Sequence, residues 1–269
     1  MHRVYRAFPS ALIYLAVLCG ATAAYAQTAA ETFEPQVGQA GKDVVWVPTP
    51  PEVVDKILEL TKTTSRDIFF DLGSGDGRMV IGAAKLGATA TGIEYNPDMV
   101  ELSKRSAAAA GLSSKATFMK ADLFESDFSN ATVITMFLLP SINIQLRPKL
   151  LELKPGTRIA SNTFSMEDWA PDETATIAGD CTSWCTALLW IVPAKVEGKW
   201  QTPQGALTLT QAFQVVTGTL GETEISNGGL WGDELTFTAG DTTYVGRVDG
   251  ETIRGTAGAG TSWTATLSQ

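Results

Sequence analysis

One stretch decides the fold of this chain: Ile68-Phe69-Phe70-Asp71-Leu72-Gly73-Ser74-Gly75-Asp76-Gly77-Arg78. The apolar run before Asp71 has the length of a buried parallel strand. The three glycines that follow, at alternate positions, allow the backbone to turn sharply and to approach a ligand closely. A helix that begins near Arg78 would point its free N–H groups over this turn. The stretch therefore predicts a strand–turn–helix unit that cradles a nucleoside cofactor.

Strands and helices alternate around this unit, and their order predicts an α/β fold over residues 43–193. A helix begins near Pro51, where proline suits the first helical position. Further helices are predicted over 79–86, 97–110 and 142–153. The predicted strands are 68–71, 88–94, 116–122, 131–139, 157–164, 173–177 and 186–192. Such alternation implies a Rossmann-like, mostly parallel sheet with helices on both faces.

Helical periodicity stops after Pro193, and residues 194–269 read as a small antiparallel β domain. Glycine, threonine and alternating apolar residues dominate there, which predicts a meander or a partial barrel. The predicted strands include 207–210, 213–216, 234–238, 244–248 and 263–267. Asn227-Gly228-Gly229 and Val248-Asp249-Gly250 are typical of turns. A weak internal repeat relates 216–219 to 253–256.

Residues 1–26 have the features of a secretory signal peptide, with a basic start, an apolar run over 11–18 and the small-residue site Ala24-Tyr25-Ala26. The apolar run is too short to span a bilayer comfortably. We therefore expect export to the periplasm or the exterior and no stable membrane span once the leader is removed; an uncleaved anchor is the alternative. Residues 27–42 are small and polar, which predicts a flexible linker.

Composition limits the substrates, catalytic groups and metal sites that the chain without its leader can have. The formal net charge is −9 and falls to −11 without the leader's two arginines, so a nucleic-acid substrate is disfavoured. An acidic surface favours a basic protein partner or simply solubility. His2, the only histidine, lies in the leader, which excludes histidine triads and histidine metal sites; no metal site is predicted. Cys181 and Cys185 form either a disulfide or two free thiols.

Carboxylates at three successive strand ends indicate which cofactor the turn holds. The alternate glycines differ from the G-x-G-x-x-G pattern of dinucleotide sites, and Asp71 would repel a pyrophosphate. Asp71 would instead attract an ammonium group, which S-adenosylmethionine carries. Glu94 could accept from both ribose hydroxyls, and Asp122 from an adenine amino group with Leu123 beside the ring. Singly, each carboxylate could also be a solvated strand end or a turn cap.

The segment 71–78 resembles the first motif of class I, seven-strand S-adenosylmethionine-dependent methyltransferases. A narrower resemblance, over roughly 43–193, is to the small lysine methyltransferases of an ATP synthase subunit or the adenine nucleotide translocase and to their bacterial relatives. The matching pieces, in order, are Val47-Pro48-Thr49-Pro50, DLGSGDGR at 71–78, Gly92-Ile93-Glu94-Tyr95-Asn96-Pro97, Asp122-Leu123, Leu139-Pro140, Gln145-Leu146 with Lys149-Leu150, and Trp169-x-Pro171-Asp172.

The resemblance implies a binding mode for S-adenosyl-L-methionine and an acceptor channel. The implied cofactor residues are Asp71, Gly73, Ser74, Gly75, Asp76, Gly77, Glu94, Asp122 and Leu123. Of these, Asp71, Gly73, Gly75 and Asp76 would line the methionine end. The implied substrate channel consists of Trp46, Val47, Pro48, Thr49 and Pro140. Trp46 stands where the family usually has tyrosine. Leu138-Leu139-Pro140-Ser141 replaces the (Asp/Asn)-Pro-Pro-Tyr motif, which disfavours DNA-adenine methylation.

The reaction implied is methyl transfer to the amine of a protein lysine, an in-line displacement that depends on alignment and desolvation. No nucleophilic side chain is needed, but the lysine must lose a proton. The candidates for orienting it are backbone carbonyls near Leu139 and the side chain of Asn162.

The sequence leaves three alternative functional hypotheses open. The first is an exported protein that binds S-adenosylmethionine or a nucleoside without catalysis, because this cofactor is made in the cytosol. The second is a small-molecule methyltransferase. In the third, the C-terminal domain is the ligand or partner module and the methyltransferase region is its scaffold. The sequence leaves the oligomeric state open.

Overall fold

A computed structural model describes residues 1–3, 33–179 and 181–268 of the 269-residue chain. The predicted signal peptide lies almost entirely outside the described residues, as does the start of the predicted linker. Within the described part, no helix combines the length and the apolar character that crossing a membrane requires.

The described end of the predicted linker is a hairpin rather than an open chain. Gly38 N–H donates to Trp46 O (2.8 Å), Trp46 N–H donates to Gln39 O (2.9 Å), and Ala40 pairs with Val45. Gly38 has a φ of 85°, a conformation that glycine adopts without strain. Small polar residues predict a flexible segment only when no partner binds them, and here the hairpin lies against the candidate site described below.

The first domain contains four helices and a seven-strand sheet. The helices are α1 (Pro51–Leu60), α2 (Arg78–Lys85), α3 (Pro97–Ala109) and α4 (Pro140–Leu150). The strands are β1 (Ile68–Leu72), β2 (Thr89–Glu94), β3 (Ala116–Lys120), β4 (Val133–Met136), β5 (Arg158–Asn162), β6 (Glu173–Thr176) and β7 (Thr186–Ile191). Their order across the sheet is β3-β2-β1-β4-β5-β7-β6, and β1 to β5 are parallel.

Both faces of the sheet carry helices, as predicted. Because side chains alternate along a strand, Phe69 and Phe70 point to opposite faces. Phe69 packs in one core with residues of α1, α2 and α3, while Phe70 belongs to the other core, with residues of α4. The central β4 is buried at all four positions, which is typical of a strand covered on both faces.

The direction of β7 brings a further loop to the carboxyl edge of the parallel strands. β7 runs antiparallel to β5, with Ala187 opposite Asn162, so the start of β7 lies beside the end of β5. The loop before β7 contains a disulfide between Cys181 and Cys185. Ile177 N–H donates to Cys185 O (2.8 Å), which closes the β6–β7 hairpin at this edge.

The second domain is a closed barrel of eight antiparallel strands, not an open meander. Its strands are β8 (Gly198–Thr202), β9 (Gly205–Ala212), β10 (Val215–Leu220), β11 (Thr223–Trp231), β12 (Glu234–Ala239), β13 (Thr242–Asp249), β14 (Thr252–Ala257) and β15 (Thr261–Leu267). Pairing of β15 with β8 and of β9 with β10 closes the sheet. Trp200, Phe237 and Trp263 belong to the apolar core.

Two local predictions in this domain are wrong. Asn227-Gly228-Gly229 is not a turn but a bulge inside β11, where the register shifts between Ser226 and Gly229. Phe213 and Gln214 form the turn between β9 and β10 instead of starting a strand. Strands β8, β11 and β14 were not among the predicted strands. The weak repeat has a structural reason, because a Cβ on Gly218 or Gly255 would lie 1.9 Å from a carbonyl oxygen of the adjacent strand.

The two domains pack against each other through the turn between β9 and β10. The rings of Trp169 and Phe213 stack with centroids 5.7 Å apart, and Gln214 Nε2 donates to Ala170 O (2.8 Å). Ala194 N–H also donates to Gly232 O (2.8 Å). The composition change after Pro193 therefore marks a change of architecture within one packed unit.

Candidate functional site

The glycine turn after β1 is tied to β2 and covered by a tryptophan. The N–H groups of Gly73 and Ser74 both donate to Ile93 O (2.9 and 3.0 Å). A Cβ on Gly75 would lie 2.6 Å from Trp46 Nε1, and the φ of Gly75 is 52°. The turn thus requires glycine at this position both for its conformation and for the close approach of Trp46.

Asp71 is a buried carboxyl group at the carboxyl edge of the sheet. Burial raises its pKa to about 7; the hydrogen bond from Thr135 Oγ1 (2.7 Å) opposes this rise, and the charges of Asp76 and Glu94 add to it. Within the part of the chain that the structure describes, no lysine or arginine contributes to this balance. The site therefore holds a carboxyl group whose ionised form needs a cation from elsewhere.

Glu94 ends β2 beside the turn, and backbone groups hold both of its carboxylate oxygens. Gly75 N–H donates to Oε2 (2.9 Å) and Asn96 N–H donates to Oε1 (2.8 Å). Each oxygen retains a second lone pair, so the side chain is fixed in place but can still accept from two hydroxyl groups. This geometry suits the predicted contact with a ribose.

Asp76 connects the turn to the predicted channel. Its Oδ2 lies 2.5 Å from Arg78 Nη2 in an ion pair, and Arg78 Nη1 donates to Thr49 O (2.8 Å). The carboxylate of Asp76 thus positions the segment that contains Trp46 and Thr49. This role is additional to the predicted one at the methionine end.

Asp122 and Leu123 lie at the far side of Glu94, near the hairpin. Lys42 Nζ donates to Asp122 Oδ2 (2.8 Å), and Phe124 N–H donates to Oδ1 (2.9 Å). The Lys42 hydrogen bond is the largest factor that lowers the pKa of Asp122, so its carboxylate is ionised at neutral pH. The hairpin is therefore fastened to the residue predicted to recognise adenine.

The predicted residues meet in two adjacent hollows that share Trp46, Gly73 and Phe137. The adenosine hollow is also lined by Glu94, Asp122, Leu123 and the hairpin residues Gln39–Val45. The methionine hollow is lined by Pro48, Thr49, Asp71, Ser74, Gly75, Asp76, Arg78, Met79 and Met136. Val47 lines the adenosine hollow, whereas Gly77 lines neither hollow and supports the turn, since a Cβ there would lie 2.7 Å from the Phe118 ring.

The two candidates for orienting an acceptor amine, the Leu139 carbonyl and the Asn162 side chain, lie in different positions relative to the hollows. The carbonyl of Leu139 accepts from Ile142 N–H (2.9 Å) and Asn143 N–H (3.1 Å), so it caps α4 instead of facing the site. Pro140 is the first residue of α4, and neither Leu139 nor Pro140 lines the two hollows. Asn162 is fully buried, and its Nδ2 lies 3.5 Å from Thr49 Oγ1. It therefore acts on the methionine hollow only through Thr49.

Sequence reasoning missed several residues that shape the site. Thr135 is a lone hydroxyl in the middle of an apolar strand, and that position was the available signal. Phe137 and Met99 line the hollows but look like ordinary core residues in the sequence. Lys42 falls in a stretch whose composition indicates only a linker.

The residues present fit S-adenosylmethionine. A buried carboxyl group without a cation suits an α-amino group. Glu94 and Asp122 both line the adenosine hollow, where the prediction places the ribose and the adenine. An anionic pyrophosphate would meet three carboxylates here, so a dinucleotide does not fit.

Comparisons with known proteins agree with this geometry. A model of the ANTKMT methyltransferase domain matches residues 71–173. A protein-lysine N-methyltransferase of Saccharolobus islandicus is 44% identical over 133 residues, which are 48% of this chain and 83% of that protein. A lysine N-methyltransferase of Mus musculus that is named for an ATP synthase subunit is 37% identical over 130 residues, but this chain spans only 52% of its length.

A solved structure adds the fold and a bound ligand. An RNA methyltransferase from Salinibacter ruber, in complex with S-adenosyl-L-homocysteine, is 47% identical and covers 56% of this chain and 96% of its own, with a TM-score of 0.52. These similarities confirm the predicted fold and cofactor class. The chain therefore belongs to the S-adenosylmethionine-dependent methyltransferase family that includes the protein-lysine N-methyltransferases.

Proposed function

We propose that this protein is a protein-lysine N-methyltransferase that uses S-adenosylmethionine. The observation that carries the proposal is the buried carboxyl group of Asp71 beside a glycine turn, in a chain that covers most of the protein-lysine N-methyltransferase of Saccharolobus islandicus. A binding protein without catalysis would need the same cofactor site at the carboxyl edge of the sheet. Only transfer of the methyl group distinguishes the enzyme from such a binding protein.

The residues of the chain act by positioning. S-adenosylmethionine supplies a methyl group already activated on a sulfonium. Asp71 would accept the cofactor's ammonium group, while Glu94 would hold the ribose. Trp46 and Phe137 border both hollows and would exclude water from the reacting end, which strengthens every electrostatic interaction there. Thr49, held near Asn162, replaces the Leu139 carbonyl as the group proposed to orient the acceptor amine.

The acceptor must present a neutral nitrogen in line with the methyl group. A lysine ammonium loses its proton more readily in a dry, apolar site, because burial disfavours the charged form. Phe137, Met136 and Pro48 form the apolar part of the methionine hollow, whose lining also includes Asp71, Asp76 and Arg78. We propose that the acceptor amine loses its proton against this apolar part.

We also propose that the protein works outside the cytosol. The predicted signal peptide and the Cys181–Cys185 disulfide support this location, because disulfides persist in oxidising compartments. Fractionation of cells that express the full chain tests it; a full-length cytosolic product with reduced cysteines would contradict it. The proposal requires a source of cofactor in the same compartment.

RNA is the second candidate acceptor, since the similar protein from Salinibacter ruber is named an RNA methyltransferase. The net charge of −9 opposes it, because RNA binding depends on basic surface. We therefore treat RNA as one arm of the functional test.

The test is incubation of the mature protein with S-adenosylmethionine carrying an isotope-labelled methyl group, with total protein and total RNA from the same cells as separate acceptors. We expect label on protein lysines, located by mass spectrometry, and none with Asp71→Asn. Label on RNA would identify RNA, and not protein lysine, as the methyl acceptor. Cofactor binding without any labelled product would favour a binding protein without catalysis.

A further inference from the structure

Three aromatic rings form a cluster beside the methionine hollow. The ring centroids of Phe137 and Phe164 are 5.9 Å apart, those of Phe137 and Trp184 are 5.8 Å apart, and those of Phe164 and Trp184 are 5.2 Å apart. Phe137 and Phe164 are partly buried, whereas Trp184 is 38% exposed. The cluster therefore runs from the hollow to the surface.

The fold places all three rings at the same edge of the sheet as Asp71. Phe137 directly follows β4, and Phe164 lies two residues after β5, so both stand at carboxyl ends of parallel strands. Trp184 precedes β7, whose antiparallel direction brings its start to the same edge.

The backbone around the cluster is held in place. Ser161 Oγ and Asn143 Nδ2 both donate to Phe164 O (2.7 and 3.1 Å). Trp184 has a φ of 59°, an uncommon conformation for a bulky residue. It lies inside the short loop closed by the Cys181–Cys185 disulfide, which restrains the loop in this conformation.

We propose that Trp184 is an acceptor-recognition residue for the transferase reaction, and that the disulfide loop exists to present it. The inference rests on the proposed lysine methyltransferase function. The indole would pack against the methylene stem of an incoming lysine side chain, whose nitrogen reaches past Phe137 into the methionine hollow. Aromatic faces suit both parts of this side chain, since they bury the stem and attract the ammonium before it loses its proton.

This assignment explains why a large indole remains partly in solvent next to a reaction site. A tryptophan that only filled the core would be buried, as Trp169 and Trp190 are. It also gives the disulfide a role apart from the two hollows, which neither cysteine lines.

The test compares Trp184→Ala and Trp184→Phe with Trp231→Ala, a control on an equally large, 47% exposed tryptophan of the barrel. We expect Trp184→Ala to raise KM for the protein acceptor about tenfold, in the range for truncated aromatic contacts. Its affinity for S-adenosylhomocysteine should stay within about twofold of wild type. Trp184→Phe should restore most of the loss, and Trp231→Ala should change nothing.

The disulfide is tested with the paired Cys181→Ser and Cys185→Ser variant. We expect the acceptor KM to rise as in Trp184→Ala, with cofactor affinity unchanged, because the released loop no longer presents the indole. An unchanged acceptor KM in both this variant and Trp184→Ala would overturn the inference.

A binding measurement that needs no methyl transfer distinguishes failure of this inference from failure of the proposed function. An oligolysine peptide is titrated into the protein loaded with S-adenosylhomocysteine. Weaker binding by Trp184→Ala than by wild type and Trp231→Ala supports the inference even where no product forms. Equal binding by all three proteins, or no binding by wild type, contradicts it.

Discussion

Two aspartates at opposite ends of β1 show how the same side chain serves the fold at one edge of the sheet and a ligand at the other. Asp67 precedes β1, and Asp71 lies near its carboxyl end; both are buried, with exposures of 6% and 7%. Asp67 accepts hydrogen bonds from Thr64 N–H (2.7 Å) and Thr132 Oγ1 (2.8 Å) and pairs with Arg158.

The pKa values of the two groups move in opposite directions. Burial acts to raise both. For Asp67 it is outweighed by the Thr64 and Thr132 hydrogen bonds and the charge of Arg158, so the pKa is lowered. For Asp71 one hydrogen bond from Thr135 does not outweigh burial and the neighbouring carboxylates, and the pKa rises to about 7. A cation supplied by the chain therefore marks the structural aspartate, and its absence among the described neighbours marks the binding one.

The largest expected effect is that of Asp71→Asn on cofactor binding. The amide keeps the shape but removes the charge that would pair with the ammonium group, so affinity for S-adenosylmethionine should fall at least about 100-fold. Calorimetric titration measures it. Because the substitution also removes a buried carboxyl group, the melting temperature of the cofactor-free protein at pH 8 should be equal to or above that of wild type. A loss of stability together with binding would assign Asp71 a structural role.

Asp67→Asn is the matched control, and we expect the opposite pattern. Loss of the carboxylate leaves Arg158 without its partner and should lower the free energy of unfolding by about 2–3 kcal/mol. Affinity for the cofactor, measured below the melting temperature, should remain within about threefold of wild type. Equal losses of cofactor affinity in both variants would remove the distinction between the two ends of β1.

The pH dependence should also separate the two groups. Below pH 7 the Asp71 carboxyl group must release a proton to receive the ammonium, so wild-type affinity should fall by about tenfold per pH unit as the pH drops from 7 to 5. In Asp71→Asn the profile should be flat over this window.

The free energy of unfolding of the cofactor-free protein should change with pH in the direction opposite to cofactor affinity. The folded pKa of Asp71, about 7, lies above its unfolded value of about 3.9. The folded state therefore binds more protons between these values, and the contribution of Asp71 to the free energy of unfolding falls as pH rises through this window. Thermal melts of wild type against Asp71→Asn isolate this contribution, and parallel curves would contradict the raised pKa.

The smallest expected effect concerns the hairpin over the adenosine hollow. Lys42→Ala removes the contact with Asp122 on a partly exposed surface, so we expect about a threefold loss of cofactor affinity. The loss should disappear at high salt, where the ion pair is screened in wild type as well. A loss of tenfold or more that persists at high salt would give the hairpin a greater part in binding than its contact with Asp122 explains.

The α/β domain could be read from the sequence because its signals are local. Apolar runs, a proline at the first helical position such as Pro51, and the glycines after Asp71 each act within a few residues. Closure of the barrel could not be predicted, because it depends on the pairing of β15 with β8, where Leu267 lies opposite Trp200. The Asn227-Gly228-Gly229 bulge has the composition of a turn, and only its neighbours in the barrel keep it within a strand.

The same division applies to the site. The strand ends locate Asp71, Glu94 and Asp122, since the carboxyl ends of parallel strands meet at one edge. Their partners come from far along the chain: Thr135 reaches Asp71 across 64 residues, and Lys42 reaches Asp122 across 80. Among the described residues, the buried side chains of the barrel are aliphatic or aromatic, so its core did not indicate a reaction site.

The most direct test of the central claim measures whether Asp71 recognises the α-amino group of the ligand. Wild type and Asp71→Asn are each titrated with S-adenosylhomocysteine and with an analogue that lacks the α-amino group. We predict that wild type prefers the amine-bearing ligand by about 100-fold, whereas Asp71→Asn binds the two within about threefold of each other. The same preference in both proteins would contradict the account, because the ammonium group would then be recognised elsewhere.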